Sequence, residues 1–85
     1  MKSFQVLYFA WLRERIGLGR ETVETDATTI ADLVAELRRR EARYDLAFSD
    51  MASVRAALDQ DLVDDLNTPL GDAREVAFFP PMTGG

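Results

Sequence analysis

Glu75-Val76-Ala77-Phe78-Phe79-Pro80-Pro81-Met82-Thr83-Gly84-Gly85 closes the sequence, and its two halves obey opposite rules. The first five residues form a β-prone apolar run. Two prolines then fix φ at about −65° twice and remove two backbone donors. The strand therefore stops at Phe79, and the chain leaves it stiff and extended. The last two residues have no Cβ, which makes them the thinnest and most pliable peptide available.

Working outward, a matching strand lies at the other end of the chain. In Phe4-Gln5-Val6-Leu7-Tyr8-Phe9, alternation sends Phe4, Val6 and Tyr8 one way and Gln5, Leu7 and Phe9 the other. Both faces are partly apolar, so this strand is central in a sheet or meets a partner on one side. Between the two ends, Ala10 to Ile16 has Leu12 and Ile16 one helical turn apart, with Gly17 as a C-terminal stop. Glu21 to Thr25 alternates as a strand. Thr29 followed by Asp32 resembles a capping box, and Ile30, Leu33, Val34 and Leu37 form one apolar stripe of a main helix. Its end, Arg38-Arg39-Arg40, suits the helix dipole, and the three side chains splay to different sides. Tyr44 to Ser53 reads as a loop with one helical turn. Val54 to Leu58 returns to strand, Asp59-Gln60-Asp61 is a turn, Leu62-Val63 is a short strand, and Asn67-Thr68-Pro69 is a second turn.

This order predicts an α+β fold: a mixed sheet with one main helix packed on one face. With the first and last strands adjacent in the middle, the arrangement is a β-grasp, the ubiquitin-like fold. A chain of 85 residues is one domain, which we place at 1–80, with an extended diglycine tail at 81–85.

Composition removes most chemistries. Cysteine and histidine are both absent. No thiol nucleophile, Ser–His–Asp triad or Cys/His zinc site is available, and no side chain has an ordinary pKa between about 5 and 8. The formal net charge of −5 at pH 7 disfavours nucleic acid as a partner. There is no apolar run long enough for a membrane span and no signal-peptide pattern, so no membrane partner is expected and the expected location is the cytoplasm. Asp59, Asp61, Asp64 and Asp65 fail the calcium-loop spacing, because Val63 and Asp64 occupy its fifth and sixth positions. Gly17-Leu18-Gly19 lacks the third glycine and the following helix of a dinucleotide fingerprint. Pro81-Met82-Thr83-Gly84 resembles a sortase signal but has no trailing apolar segment.

What remains is the chain end. A frayed terminus is the ordinary reading of a Gly-rich end. Here a strand, a rigid Pro pair, a short reach and a bare Gly84-Gly85 occur in series, a design suited to passing a terminal carboxylate through a narrow tunnel. That carboxylate is ionised at neutral pH and is a poor electrophile. Adenylylation would give a mixed anhydride, open to a sulfur donor or to an amine.

The ten residues Val76 to Gly85 resemble the ending of the small subunit of molybdopterin synthase, the sulfur carrier of molybdenum cofactor biosynthesis. Val6-Leu7-Tyr8-Phe9-Ala10 with Leu12-Arg13-Glu14 and Gly17 is similar to that family's start. Ala57-Leu58-Asp59-Gln60 with Leu62-Val63, then Pro69-Leu70, is similar to its middle. The family often has Asn where Asp59 stands, and a Gly-Asp pair where Ala73-Arg74 stand. The resemblance implies a β-grasp carrier whose Gly85, preceded by Gly84, becomes an acyl-adenylate and then a thiocarboxylate. It implies an adenylyltransferase partner that consumes ATP, a sulfur donor protein, and a large subunit supplying the catalytic side chains in a heterotetramer. No cofactor is expected on the carrier itself. Interface positions carried over are Phe9, Leu62 and Phe79, with Arg13 as a polar contact and Pro80, Pro81, Met82 and Thr83 along the tail. Carriers for thiamine, cysteine or tRNA thiolation, a lysine-linked protein modifier, and a plain interaction module with an idle tail are the alternatives.

Overall fold

The computed structural model describes residues 1–81; Met82, Thr83, Gly84 and Gly85 lie outside the described residues. In chain order the elements are β1 (Lys2–Tyr8), α1 (Ala10–Ile16), β2 (Arg20–Thr25), α2 (Ile30–Arg40), α3 (Ala42–Ala47), a 3-10 turn (Met51–Ser53), β3 (Arg55–Leu58), β4 (Asp61–Val63) and β5 (Glu75–Phe79). The sheet order is β2-β1-β5-β3-β4. β1 and β5 pair in parallel, Val6 opposite Val76 and Tyr8 opposite Phe78. The other pairings, β1 with β2, β3 with β5 and β3 with β4, are antiparallel. This is the mixed β-grasp sheet that the strand pattern predicts.

One face of the sheet carries the core. Phe4, Val6 and Tyr8 from β1, Val23 from β2, Ala56 from β3 and Val76 and Phe78 from β5 are buried. They meet Ile30, Leu33, Val34 and Leu37, the whole predicted stripe of α2. An aromatic group completes the core, with Phe48 edge-on to Phe78 at 5.1 Å between ring centres and Tyr8 stacked on Phe78 at 6.2 Å.

Caps follow from local chemistry. Gly17 takes φ 88° and donates its N–H to Arg13 O at 2.8 Å, ending α1 as expected. The Thr29 hydroxyl accepts the Asp32 N–H at 3.1 Å and starts α2. The Asp32 carboxylate, one methylene shorter than the usual Glu, accepts the Thr28 hydroxyl rather than reaching back to Thr29. Ile30 N–H and Ala31 N–H donate to Thr68 O and Leu66 O, so the 66–70 loop satisfies donors that a helix start leaves open. The arginine run splays: Arg38 pairs with Asp45 and Arg40 with Glu36, while Arg39 is exposed.

Two details add to the sequence reading. Beside the main helix α2 and the expected short helix α1, a third helix, α3, packs on the fold. The helical turn expected in the segment from Tyr44 is α3, which starts earlier, at Ala42, and is separated from α2 by Glu41 alone, extended at φ −151° and ψ 152°. Only Tyr44 and Ala47 of α3 are buried, with Phe48 just beyond it, too few for a readable period. Arg43 fixes this helix to α1 by donating to Ile16 O at 2.9 Å. Second, Asp59 has a structural consequence. Asp59 and Gln60 both take positive φ, 49° and 73°, the two-residue geometry that lets a hairpin keep its strand twist. The Asp59 carboxylate then accepts the N–H groups of Arg74 and Glu75 at 2.9 and 3.0 Å. One side chain thus latches the β3–β4 turn to the start of β5. The nearby turn at 70–73 is closed by Ala73 N–H to Leu70 O, with Gly71 at φ 54°.

Glu21 forms a second latch. Its carboxylate accepts the hydroxyls of Tyr8 at 2.7 Å and Tyr44 at 2.6 Å, tying β1, β2 and α3 together. Burial first, then the hydrogen bond to Glu21 and its charge, raises the pKa of both tyrosines, that of Tyr44 to about 12 and that of Tyr8 further.

These latches give two predictions. A tyrosine whose folded pKa exceeds its unfolded value of about 10 contributes stability that is intact below pH ~10 and is lost as pH rises through the folded value. Because the chain holds no other tyrosine, native protein is expected to show no tyrosinate absorbance at pH ~10 and to gain it with unfolding near pH ~12. An ordinary tyrosine titration in the folded state contradicts this. Asp59→Ala is expected to cost about 1 kcal/mol in denaturant unfolding, while Asp59→Asn, which keeps an acceptor, costs less. Equal losses for both variants contradict the latch.

Candidate docking face and tail exit

The helices cover one face of the sheet, and the other face is open. Alternation along the strands decides what the open face shows. From the pairing register, Leu7, Ala77, Ala57 and Leu62 lie directly opposite one another across four strands. They form one apolar row perpendicular to the strands. Arg20, paired with Leu7, ends the row on the β2 side. Leu62 at the other end is 65% exposed, far beyond what a core leucine shows.

Phe9 and Phe79 lie beyond this row, at the end of the sheet from which the chain runs to its terminus. Because β1 and β5 are parallel, both strands finish at the same edge. Phe9 N–H donates to Phe78 O at 3.1 Å, which fixes the two ends beside each other. The chain then turns at Ala10, whose φ of 53° is rare for a residue with a Cβ and costs about 1–2 kcal/mol. That reversal starts α1 after a single connecting residue and leaves Phe9 outside the core, 46% exposed. Phe79 is half-buried and on the open face, and Pro80 and Pro81, also half-buried, carry the chain away from it.

Arg13 sits beside Phe9 against Gly19. A Cβ on Gly19 would lie 3.2 Å from the Arg13 Nε and 3.3 Å from its Cζ. The missing side chain at Gly19 is therefore what lets the guanidinium lie flat there. The sequence reading brought Phe9, Arg13, Leu62 and Phe79 to one interface. The structure puts Phe9, Arg13 and Phe79 at the tail end of the sheet and Leu62 at the far end of the apolar row. It adds Leu7, Ala57 and Ala77, which complete the row, and Gly19, which supports Arg13. The alternation of β1 already placed Leu7 on this face. Ala57 and Ala77 gave no signal, because alanine reads equally as core or surface.

Met82, Thr83, Gly84 and Gly85, the reacting end expected from the sequence, fall outside the described residues. Among the described residues no group of three or more Asp, Glu, His or Cys is placed to hold a metal ion. No helix there is long and apolar enough to cross a membrane. The described residues build an apolar platform with the chain leaving its edge at Pro80-Pro81, a geometry suited to docking.

Comparison with known proteins agrees with this geometry. The ThiS family model matches residues 6–85. The molybdopterin synthase sulfur carrier subunit of Escherichia coli is 41% identical over 81 residues, covering 95% of this chain and 98% of that protein. The protein of that name from Mycobacterium tuberculosis is 36% identical over 87 residues and covers both chains fully. Among solved structures, a chain in the complex of subunits 1 and 2 of molybdopterin-converting factor from Helicobacter pylori superposes with a TM-score of 0.64 at 26% identity, covering 99% of this chain and 100% of that one. The chain belongs to the ThiS family, among its molybdopterin synthase sulfur carrier subunits.

Proposed function

We propose that this chain carries sulfur on its C-terminal glycine as the small subunit of a molybdopterin synthase. The observation that supports this most directly is the joint placement of Phe9 and Phe79 beside the strand end that leads into Pro80-Pro81 and the diglycine. A docked partner would hold the open face while the tail reaches into its active site. The sulfur carrier names of the relatives and the two-subunit complex from Helicobacter pylori support the same reading.

The chemistry proceeds in three steps. The Gly85 carboxylate attacks the α-phosphorus of ATP on an adenylyltransferase, forming an acyl-adenylate and releasing pyrophosphate. Hydrosulfide-level sulfur supplied by a sulfur donor protein attacks the carbonyl carbon, and AMP leaves with the bonding pair of the anhydride, giving a thiocarboxylate. The large subunit then transfers that sulfur to cyclic pyranopterin monophosphate, and water restores the carboxylate. The carrier contributes no acid or base to these steps. It supplies a carbonyl that Gly84 and Gly85 leave unobstructed, and a platform that positions it. Residues 81–85 act as the tail of a domain spanning 1–80, ATP belongs to the activating partner, and two copies each of small and large subunit assemble.

Intact-mass measurement after coexpression with the adenylyltransferase is expected to show one oxygen replaced by sulfur at the terminus. Deleting Gly85 should abolish that product and leave thermal unfolding unchanged. Pterin sulfuration at wild-type rates by a carrier bearing a bulky fusion after Gly85 would overturn the proposal. Phe79→Asp removes an aromatic anchor and places a charge at the tail end of the docking face. It should weaken binding to the large subunit by about 2 kcal/mol, roughly thirty-fold, with the fold intact by circular dichroism. Undiminished co-purification would contradict the placement of the interface.

A further inference from the structure

The charges of this acidic chain are not spread evenly over the sheet. Arg13, Arg20 and Arg55 stand at the end from which the tail leaves. Arg20 and Arg55 open β2 and β3, and Arg55 lies directly opposite Phe79 in the register. Arg13 and Arg20 line one shallow groove with Leu7 and Phe9. Arg55 and Leu62 line another, on the far side of the β1–β5 pair. The acidic residues nearest this end are Glu21, which holds the two tyrosine hydroxyls, and Asp50, Asp64 and Asp65 in the loops; Asp64 shares the second groove with Arg55 but makes no salt bridge with it. The opposite end of the sheet gathers Asp26, Asp59, Asp61, Asp72 and Glu75, against Lys2 and Arg74.

The three arginines are also uncommitted. The arginines that pair with carboxylates among the described residues are Arg38, Arg40 and Arg43. Arg55 donates only to backbone carbonyls, those of Ala52 and Val54, each at 3.1 Å. All three are exposed. On a chain with a net charge of −5, three guanidinium groups without a carboxylate partner set local positive charge around one apolar patch.

We propose that Arg20 and Arg55, together with Arg13, form a guanidinium rim that selects a partner whose apolar recess is ringed by carboxylates, and that this occupant is the synthase large subunit. The inference rests on the sulfur-carrier reading and adds to it the charge of the partner surface. Rim charges act mainly on the encounter, steering the patch toward its complement, and less on the lifetime of the docked complex. They also discriminate: a partner with a basic rim is repelled although its apolar recess would fit.

The test is the association rate of the full-length carrier with the large subunit, measured from low to high salt. Wild-type association should slow steeply as salt screens the rim. The double variant Arg20→Gln and Arg55→Gln should associate about ten-fold more slowly at low salt, lose most of the salt dependence, and dissociate at nearly the wild-type rate. Arg20→Gln alone, at a residue with no side-chain hydrogen bond among the described residues, should give part of the effect, and Arg20→Lys should restore it. Salt-independent association of the wild type, or wild-type rates for both glutamine variants, would overturn the rim and leave the sulfur-carrier reading standing. No association at any ionic strength would overturn that reading and the rim with it.

Discussion

The parallel pairing of β1 with β5 is the constraint from which the rest of the molecule follows. The two strands lie more than sixty residues apart in sequence yet occupy the middle of the sheet. A parallel pair must finish at the same edge. Phe9 and Phe79 are therefore neighbours, and the chain end emerges between the flanks of one apolar face. An antiparallel pairing of these segments would send the tail to the far edge, away from Phe9. The cost is loop closure over nearly the whole chain. The aromatic contacts of Tyr8, Phe48 and Phe78 across the pair, and the Glu21 carboxylate holding both tyrosines, offset it.

The same pairing explains why so much was legible in the sequence. Strands with apolar residues on both faces are uncommon outside sheet centres, and Phe4 to Phe9 and Val76 to Phe79 both show that pattern. The stripe of α2 was readable because four residues recur at helical spacing, and Gly17 and Thr29 marked helix ends by conformational necessity. Alternation separated Phe9 from the core-facing residues of β1, while Phe79 was marked by the resemblance of the chain's ending to its family. The extent of α3 was hidden because it is six residues long and follows α2 after one extended residue. No propensity rule distinguishes Glu41 as the break, since tertiary contacts from Arg43 and Tyr44 decide it. The roles of Gly19 and Asp59 were hidden for a related reason. Each depends on a group remote in sequence or across a turn: the Arg13 guanidinium in one case, the backbone of Arg74 and Glu75 in the other.

The two faces of the sheet carry separate duties, and the separation is physical. Buried aromatic and aliphatic side chains, with helices over them, hold the fold on one side. On the other side, Ala57 and Ala77 keep the central strands low and leave a flat apolar strip between Leu7 and Leu62. Small side chains there let a partner approach the strands closely, and the larger Phe9, Leu62 and Phe79 give it something to grip. Because the strip contributes little to the core, it can answer to a partner without destabilising the carrier.

On the proposed reading, a carrier that docks and leaves again meets a further constraint. Its grip has to be strong enough to direct the tail and weak enough to let go. An apolar strip of a few residues gives moderate affinity, and exposed charges at its rim change arrival more than departure. On the proposed reading, guanidinium groups at the tail end would concentrate that steering where the chain end enters its partner. The strand pairing that brings Phe9 to Phe79 thus also fixes where charge has to be, because Arg20 and Arg55 occupy the ends of strands already in register with Leu7 and Phe79. Register, not loop conformation, sets the geometry of the docking surface, so its position is as firm as the sheet itself.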